Sequence, residues 1–258
     1  MESPGGTSLK HKTKYVFFII LLCFLSGLAA YSVFDLPVST IILDPGHGGT
    51  DPGAVSQFNG HLMEKDVVLA IALEIREIIK AKHPGLSVVM TREDDSFIPL
   101  DQRAAIARTT DPGPNEQAVF ISIHTNSIGI ESVSGFEILI KSMNKKIQFF
   151  TSGIQGWQLL RYAKESDSQL NAALNRANTM LASAIRSSVT DMFPDMRDRG
   201  VKEQDVWVLN ASAIPSVLVE TSFISNEQDS NNMASSEWIT AMAHAIAEGI
   251  LNFVAIIQ

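Results

Sequence analysis

Two histidines and two glutamates carry the chemistry this sequence could perform. His47 lies in Asp44-Pro45-Gly46-His47-Gly48-Gly49, directly after the apolar run Thr40-Ile41-Ile42-Leu43. His124 closes Phe120-Ile121-Ser122-Ile123, and Glu220 closes Val217-Leu218-Val219. Glu64 opens Glu64-Lys65-Asp66 at the start of a helical pattern, and its loop origin lets it turn back toward the same edge. Two imidazoles and one carboxylate make a three-ligand zinc site with the fourth position left to water. Zinc lowers that water's pKa to about 7 and polarises a carbonyl. Hydrolysis then needs a second, non-ligating carboxylate to take the water's proton and return it to the leaving amine. The sequence supplies two glutamates for these two roles, and residue types alone do not divide them.

Each of the four has an ordinary explanation when taken singly. His124 at a buried strand end could be a hydrogen-bonded core histidine. The Gly-rich run around His47 could be a turn or an anion-binding nest. Glu64 could simply face the positive end of a helix dipole. Glu220 fits such a reading least, because a carboxylate behind three apolar residues is desolvated and needs a partner. The four positions cohere far better together than any does alone.

The elements that must position them alternate along the chain. Apolar runs predict strands at 40–43, 86–90, 119–123, 136–140, 206–209 and 217–219. Helical spacing covers 67–80, 100–108, 170–192 and 238–254, with breakers such as His83-Pro84-Gly85 and Asp111-Pro112-Gly113-Pro114 between elements. This order predicts an α/β fold: a single domain with a mostly parallel or mixed twisted sheet and helices on both faces. In such sheets, sites form at the C-terminal strand ends, where His47, His124 and Glu220 fall.

Composition narrows the function classes. The chain has 258 residues, 45% hydrophobic and 19% charged, with a net charge of −8. That supports a sizeable core and disfavours nucleic-acid binding by phosphate neutralisation. Cys23 is the sole cysteine, so a disulfide scaffold, Cys-ligated zinc and a folded-domain thiol nucleophile are excluded. Lys10, His11, Lys12 and Lys14 precede an almost wholly apolar run from Tyr15 to Phe34. That order is the pattern of a secretory signal peptide or a retained signal anchor. Residues 1–37 are therefore read as signal or anchor plus a short linker, and 38–258 as the catalytic domain. The location expected is outside the cytoplasmic membrane, periplasmic, with membrane contact only through the N-terminal segment if it is uncleaved.

The ordered motifs resemble one family. Ile41-Ile42-Leu43-Asp44-Pro45-Gly46-His47-Gly48-Gly49, Glu64-Lys65-Asp66, Thr91-Arg92, Phe120-Ile121-Ser122-Ile123-His124-Thr125-Asn126, Arg199-Gly200-Val201-Lys202 and Val217-Leu218-Val219-Glu220-Thr221-Ser222-Phe223-Ile224-Ser225-Asn226 look like the zinc-dependent N-acetylmuramoyl-L-alanine amidases of the Amidase_3 type. The resemblance runs from about Thr40 to Phe253. It implies that His47, Glu64 and His124 ligate one Zn2+ and that Glu220 is the catalytic carboxylate. It also implies a peptidoglycan or muropeptide substrate, a role in septal splitting, remodelling or recycling of the wall, and an activator protein as a partner. Asn126 departs from the pattern, since some members carry an Asp there. Asp44 and Asp51 are candidates for orienting His47. No wall-binding repeat is read on either side, which leaves tethering to the membrane, a partner or the catalytic groove.

Two rival readings compete. Ser142-Met143-Asn144-Lys145 has the Ser-x-x-Lys spacing of serine D,D-carboxypeptidases. That spacing is expected about once by chance in a chain of this composition, and no Lys-Thr-Gly accompanies it. A catalytically idle peptidoglycan-binding module is the other, disfavoured because all four chemical positions are intact. His-Glu-x-x-His and Gly-x-Ser-x-Gly do not occur. The span 141–168, rich in apolar residues from Ile147 to Leu160, is expected to be either a satellite hydrophobic cluster or a regulatory lid over the metal.

Overall fold

The computed structural model describes residues 32–257 apart from positions 61 and 153. The segment expected to be a signal or anchor lies outside the described residues as far as position 31, Cys23 included. Six strands form one sheet: β1 (Val38–Pro45), β2 (Ser87–Met90), β3 (Gln117–Asn126), β4 (Phe136–Lys141), β5 (Asp198–Gln204) and β6 (Ser216–Phe223), in the order β2-β1-β3-β6-β4-β5. Strands β2, β1, β3 and β6 are mutually parallel. The β4 strand runs antiparallel to β6 and carries β5 parallel to itself. The sheet is thus mixed, and the described residues hold seven α-helices: α1 (Glu64–Lys82), α2 (Leu100–Thr109), α3 (Gly156–Tyr162), α4 (Asp167–Met192), α5 (Trp207–Ala211), α6 (Glu227–Met233) and α7 (Ser236–Ile257).

The central strands read as continuous apolar runs because both of their faces are covered. Ile41 and Leu43 of β1 point into a core shared with α1, α4 and α7, including Ile71, Ile75, Ile185 and Ile246. Ile42 points the other way, toward Phe120, Leu218, Ala107 of α2, and Val208 and Leu209 of α5. The closing helix α7 is long and apolar enough to cross a membrane, but more than half of that stretch is buried. It is the core helix against α4 and α1.

One predicted strand is corrected. Residues 206–209 do not extend the sheet; Trp207–Ala211 is the helix α5. The edge position beside β4 goes instead to Asp198–Gln204, a half-exposed polar strand with no apolar alternation to announce it. An apolar run of four residues buries equally well as one helical turn or as a short strand, and here a turn presents Val208 and Leu209 to the sheet.

The reversal at β4 matters for function. The loop 127–135 contains no helix, so the chain turns back at the C-terminal edge of β3 and β4 descends antiparallel. The start of β4 therefore joins the edge where β1, β3 and β6 end: Glu137 stands opposite Glu220 in the register.

Candidate metal centre

Three neighbouring strands deliver the site. His47 follows β1 by two residues and adopts a left-handed backbone, φ 59°, a conformation an L-residue holds only when its surroundings enforce it. They do. Arg92 donates to the carbonyls of Pro45 (3.0 Å) and Gly46 (2.7 Å), and Arg103 to those of Pro45 (2.6 Å) and His47. Both guanidinium side chains are buried. Arg103 is in turn held by Asp44 at 2.7 Å, whose other partners are Thr91 and Ser122. Asp44 thus acts on the loop through Arg103 and does not touch His47. Asp51 does touch it: its Oδ2 lies 2.8 Å from His47 Nδ1.

Glu64 begins α1 and is buried. Its two oxygens accept from the backbone N–H of Thr125 (3.0 Å) and Ala54 (2.9 Å). The same oxygens reach His124 Nδ1 at 2.9 Å and His47 Nε2 at 3.1 Å. The imidazoles stand edge to face with centroids 5.0 Å apart. One donor atom from each of His47, Glu64 and His124 falls within 4.8 Å of the others. Gly53 keeps this space open: a Cβ there would sit 2.6 Å from Glu64 Oε2 and 2.7 Å from His47 Cδ2, at a φ of +63°.

The electrostatics divide the two glutamates. Burial pushes Glu64 up, but His124 and His47 outweigh it and hold the carboxyl well below its usual range. Burial likewise pulls both histidines down, and Glu64 reverses this, leaving both raised. Glu220 sits beside His124 in the β3–β6 register. Burial raises it to about 7; His124 opposes, and the Glu64 and Glu137 carboxylates add to the rise. Its Oε2 is buried without a hydrogen-bond partner among the described residues, a costly state for a group with no further task.

A metal ion fits this arrangement. Two imidazoles and a carboxylate converge on one point, and an unpartnered carboxylate oxygen stands beside them. That is the donor set of a hydrolytic divalent-metal site with an open position.

The family comparison agrees. The model of the N-acetylmuramoyl-L-alanine amidase family Amidase_3 matches residues 41–252. The chain belongs to this family. It is 36% identical over 211 residues to YqiI of Bacillus subtilis, covering 82% of each chain. It is 30% identical over 233 residues to the N-acetylmuramoyl-L-alanine amidase AmiC of Escherichia coli O6:H1, covering 86% of this chain. It spans only 54% of AmiC, about half the length of that relative. Among solved structures, the CwlD amidase of Clostridioides difficile in complex with the GerS lipoprotein matches with a TM-score of 0.65 and 27% identity, over 84% of this chain and 99% of that one.

In this amidase, several residues near the site had no role assigned from sequence. Glu137, buried opposite Glu220, accepts from Asn126 Nδ2 (3.0 Å), Arg199 Nε (3.2 Å) and Lys202. Asn126 therefore faces Glu137. Arg199 and Lys202 belong to a motif that carried the resemblance, which was their only signal. The Ser-x-x-Lys reading is not supported. Lys145 Nζ pairs with Asp205 at 2.7 Å, and the motif is a turn past the end of β4, at the edge opposite Glu220. Of the two readings of the span 141–168, the structure shows the satellite cluster. Ile147, Phe149 and Tyr162 pack with Val33, Phe34, Leu170 and Leu174 in a satellite cluster, at the sheet edge where β1 and β3 begin. Phe149 was free to go there because β4 runs antiparallel and delivers its following segment away from the metal ligands.

Proposed function

We propose that this amidase hydrolyses the amide joining the lactyl group of N-acetylmuramic acid to L-alanine of the stem peptide, with one Zn2+ held by His47, Glu64 and His124. The observation that carries the reading is the convergence of these three donors beside Glu220, whose Oε2 is buried without a hydrogen-bond partner among the described residues. When bound, zinc supplies Lewis acidity toward the scissile carbonyl and acidifies the attacking water. The borderline-soft donor set of two imidazoles and a carboxylate suits zinc.

The chain's own residues do the rest. Asp51 on Nδ1 of His47 leaves Nε2 as the free donor atom and fixes the ring. Glu220, whose neutral and ionised forms are close in energy near neutral pH, takes a proton from water at its free oxygen and returns it to the leaving α-amino group of L-alanine. Glu137, tied to Asn126, Arg199 and Lys202, sets the negative field that keeps Glu220 basic.

The basic-then-apolar N-terminus supports an exported, periplasmic protein whose residues 38–258 form the catalytic domain. The CwlD–GerS complex supports a protein activator as partner. Incubating a defined muropeptide with the protein, with and without chelator, and resolving products by mass spectrometry tests the reaction. Free peptide beginning at L-Ala, lost with chelator and restored by Zn2+, is expected. Glu220→Gln should keep the metal and lose turnover by roughly 10²–10⁴-fold. Loss of only a terminal D-Ala, insensitive to chelator, would transfer the chemistry to Ser142.

A further inference from the structure

Phe120, Leu218 and Leu139 line one face of β3, β6 and β4. Side chains alternate along a strand, so His124, Glu220 and Glu137 continue that face to the metal edge. The row runs on to β5, where Arg199 and Lys202 reach back to Glu137. Two cations thus meet one carboxylate, and the group keeps one positive charge over. Neither cation is used up by this contact. Lys202 is 43% exposed, and Glu137 is its sole ion-pair partner among the described residues. Arg199 rests on the Phe223 ring at 5.0 Å, with Nε on Glu137 and Nη1 on the carbonyl of Ser134 at 3.5 Å. Its Nη2 has no acceptor among the described residues.

The opposite flank of the metal donors carries the other sign. Asp51, on His47, is 42% exposed. Asp94 is exposed, and so is Asp95, which accepts from the N–H of Gly49 at 2.8 Å and pairs with Lys65. A substrate lying across this edge from β1 to β5 therefore meets negative charge at one end and positive charge at the other.

The substrate's own charge then fixes its direction. The lactyl carboxyl is consumed in the scissile amide, so the muramoyl side is neutral and the free carboxylates are on the peptide side. Where the residue after L-alanine is a γ-linked glutamate, its α-carboxylate is the nearest of them. In an extended chain it lies roughly 6 Å from the leaving nitrogen. Glu137 stands about 5 Å from Glu220 across the strand pair, and its two cations are a hydrogen-bond length further. A guanidinium edge beside an ammonium suits a carboxylate.

We propose that Arg199 and Lys202 bind the free α-carboxylate of the second stem-peptide residue, so that the peptide lies over β4 and β5 and the sugar over β1. This deepens the amidase reading and rests on it. Glu137 holds the two cations in place for the peptide.

The test uses two muropeptides, identical except that the second residue is glutamate in one and its α-amide in the other. The full chain, loaded with zinc, should hydrolyse the acid with a KM about tenfold below that of the amide. Lys202→Gln should raise KM for the acid about tenfold more than KM for the amide, which erases the preference. Lys202→Arg should keep it. Binding of the product dipeptides, L-alanyl-γ-D-glutamate and its α-amide, is read by calorimetry without turnover and should show the same preference. Equal KM values for acid and amide in the wild type overturn the proposal. So does an equal loss on both substrates in Lys202→Gln, which would leave the cations a structural role on Glu137. Chelator-sensitive hydrolysis with no preference for the acid in KM or in dipeptide binding refutes the subsite alone. An acid-selective dipeptide site, lost in Lys202→Gln, in a protein that hydrolyses neither muropeptide refutes the amidase reading alone. Neither hydrolysis nor dipeptide binding overturns both.

Discussion

Glu64 and Glu220 are the same residue type on the same sheet edge, driven in opposite directions. Glu64 is held ionised between two imidazoles, whereas Glu220 is lifted to about 7 chiefly by burial. Pairs pushed apart in this way divide acid–base labour. A consequence appears in the metal-free protein. Glu220 is easier to ionise unfolded than folded, so its contribution to stability is complete below the unfolded value, about 4.5, and is lost as pH rises toward 7. In chelator, Glu220→Gln should therefore raise the thermal midpoint at pH 8 by a few degrees relative to wild type and leave it little changed at pH 4; equal shifts at both pH values would refute this. Asp51→Asn exchanges the acceptor on His47 for a weaker one and should weaken zinc affinity by roughly 10–100-fold, read by competition with a chromophoric chelator. Glu64 and His124 were visible as candidates from residue type and position. Asp44, a candidate for orienting His47, acts on that loop through Arg103, a link spanning fifty-nine residues and silent in a local pattern.

At the scale of elements, the His47 loop is held in place by two arginines from outside it. Removing Arg103 from α2 would leave Asp44 buried with only its hydroxyl partners. Arg103→Met should cost about 3 kcal/mol by denaturant unfolding, and Asp44→Asn added to it should recover part of that loss. Helices α4 and α7 approach so closely that a Cβ on Gly249 would lie 2.4 Å from Ile185 Cα. Gly249→Ala is expected to cost about 1–3 kcal/mol by overpacking, despite the better helix propensity of alanine. Strands β1, β3 and β6 were legible because burial on both faces demands uninterrupted apolar runs. Strand β5 was not, since a polar edge strand is specified by the neighbour it pairs with, β4, and by little in its own side chains. The same shortage of local signal let α5 pass for a strand.

Across the whole molecule, metal binding and folding are linked. The three donors come from the loop after β1, from α1 and from β3, so an unfolded chain offers no comparable site. Free zinc at a hundredfold excess over Kd should stabilise the protein by about 2.7 kcal/mol. For a domain of this size that is a rise of roughly 5–10 °C in Tm, reversed by chelator in differential scanning calorimetry and absent in His124→Ala. From the sequence alone followed the layered α/β class, the strand ends that carry His47, His124 and Glu220, and the residue types able to hold a metal. Each is written in short-range order: an apolar run, a breaker, a polar residue where the run stops. The sequence did not say that Glu64 lies between the imidazoles while Glu220 Oε2 has no partner among the described residues, that Arg199 and Lys202 converge on Glu137, or that residues 147–162 pack at the edge away from the metal. Those were decided by strand order and by the reversal of β4, because Coulombic and hydrogen-bond energies depend on distance through space, and only the crossovers of the sheet bring positions 47, 64, 124 and 220 to one edge.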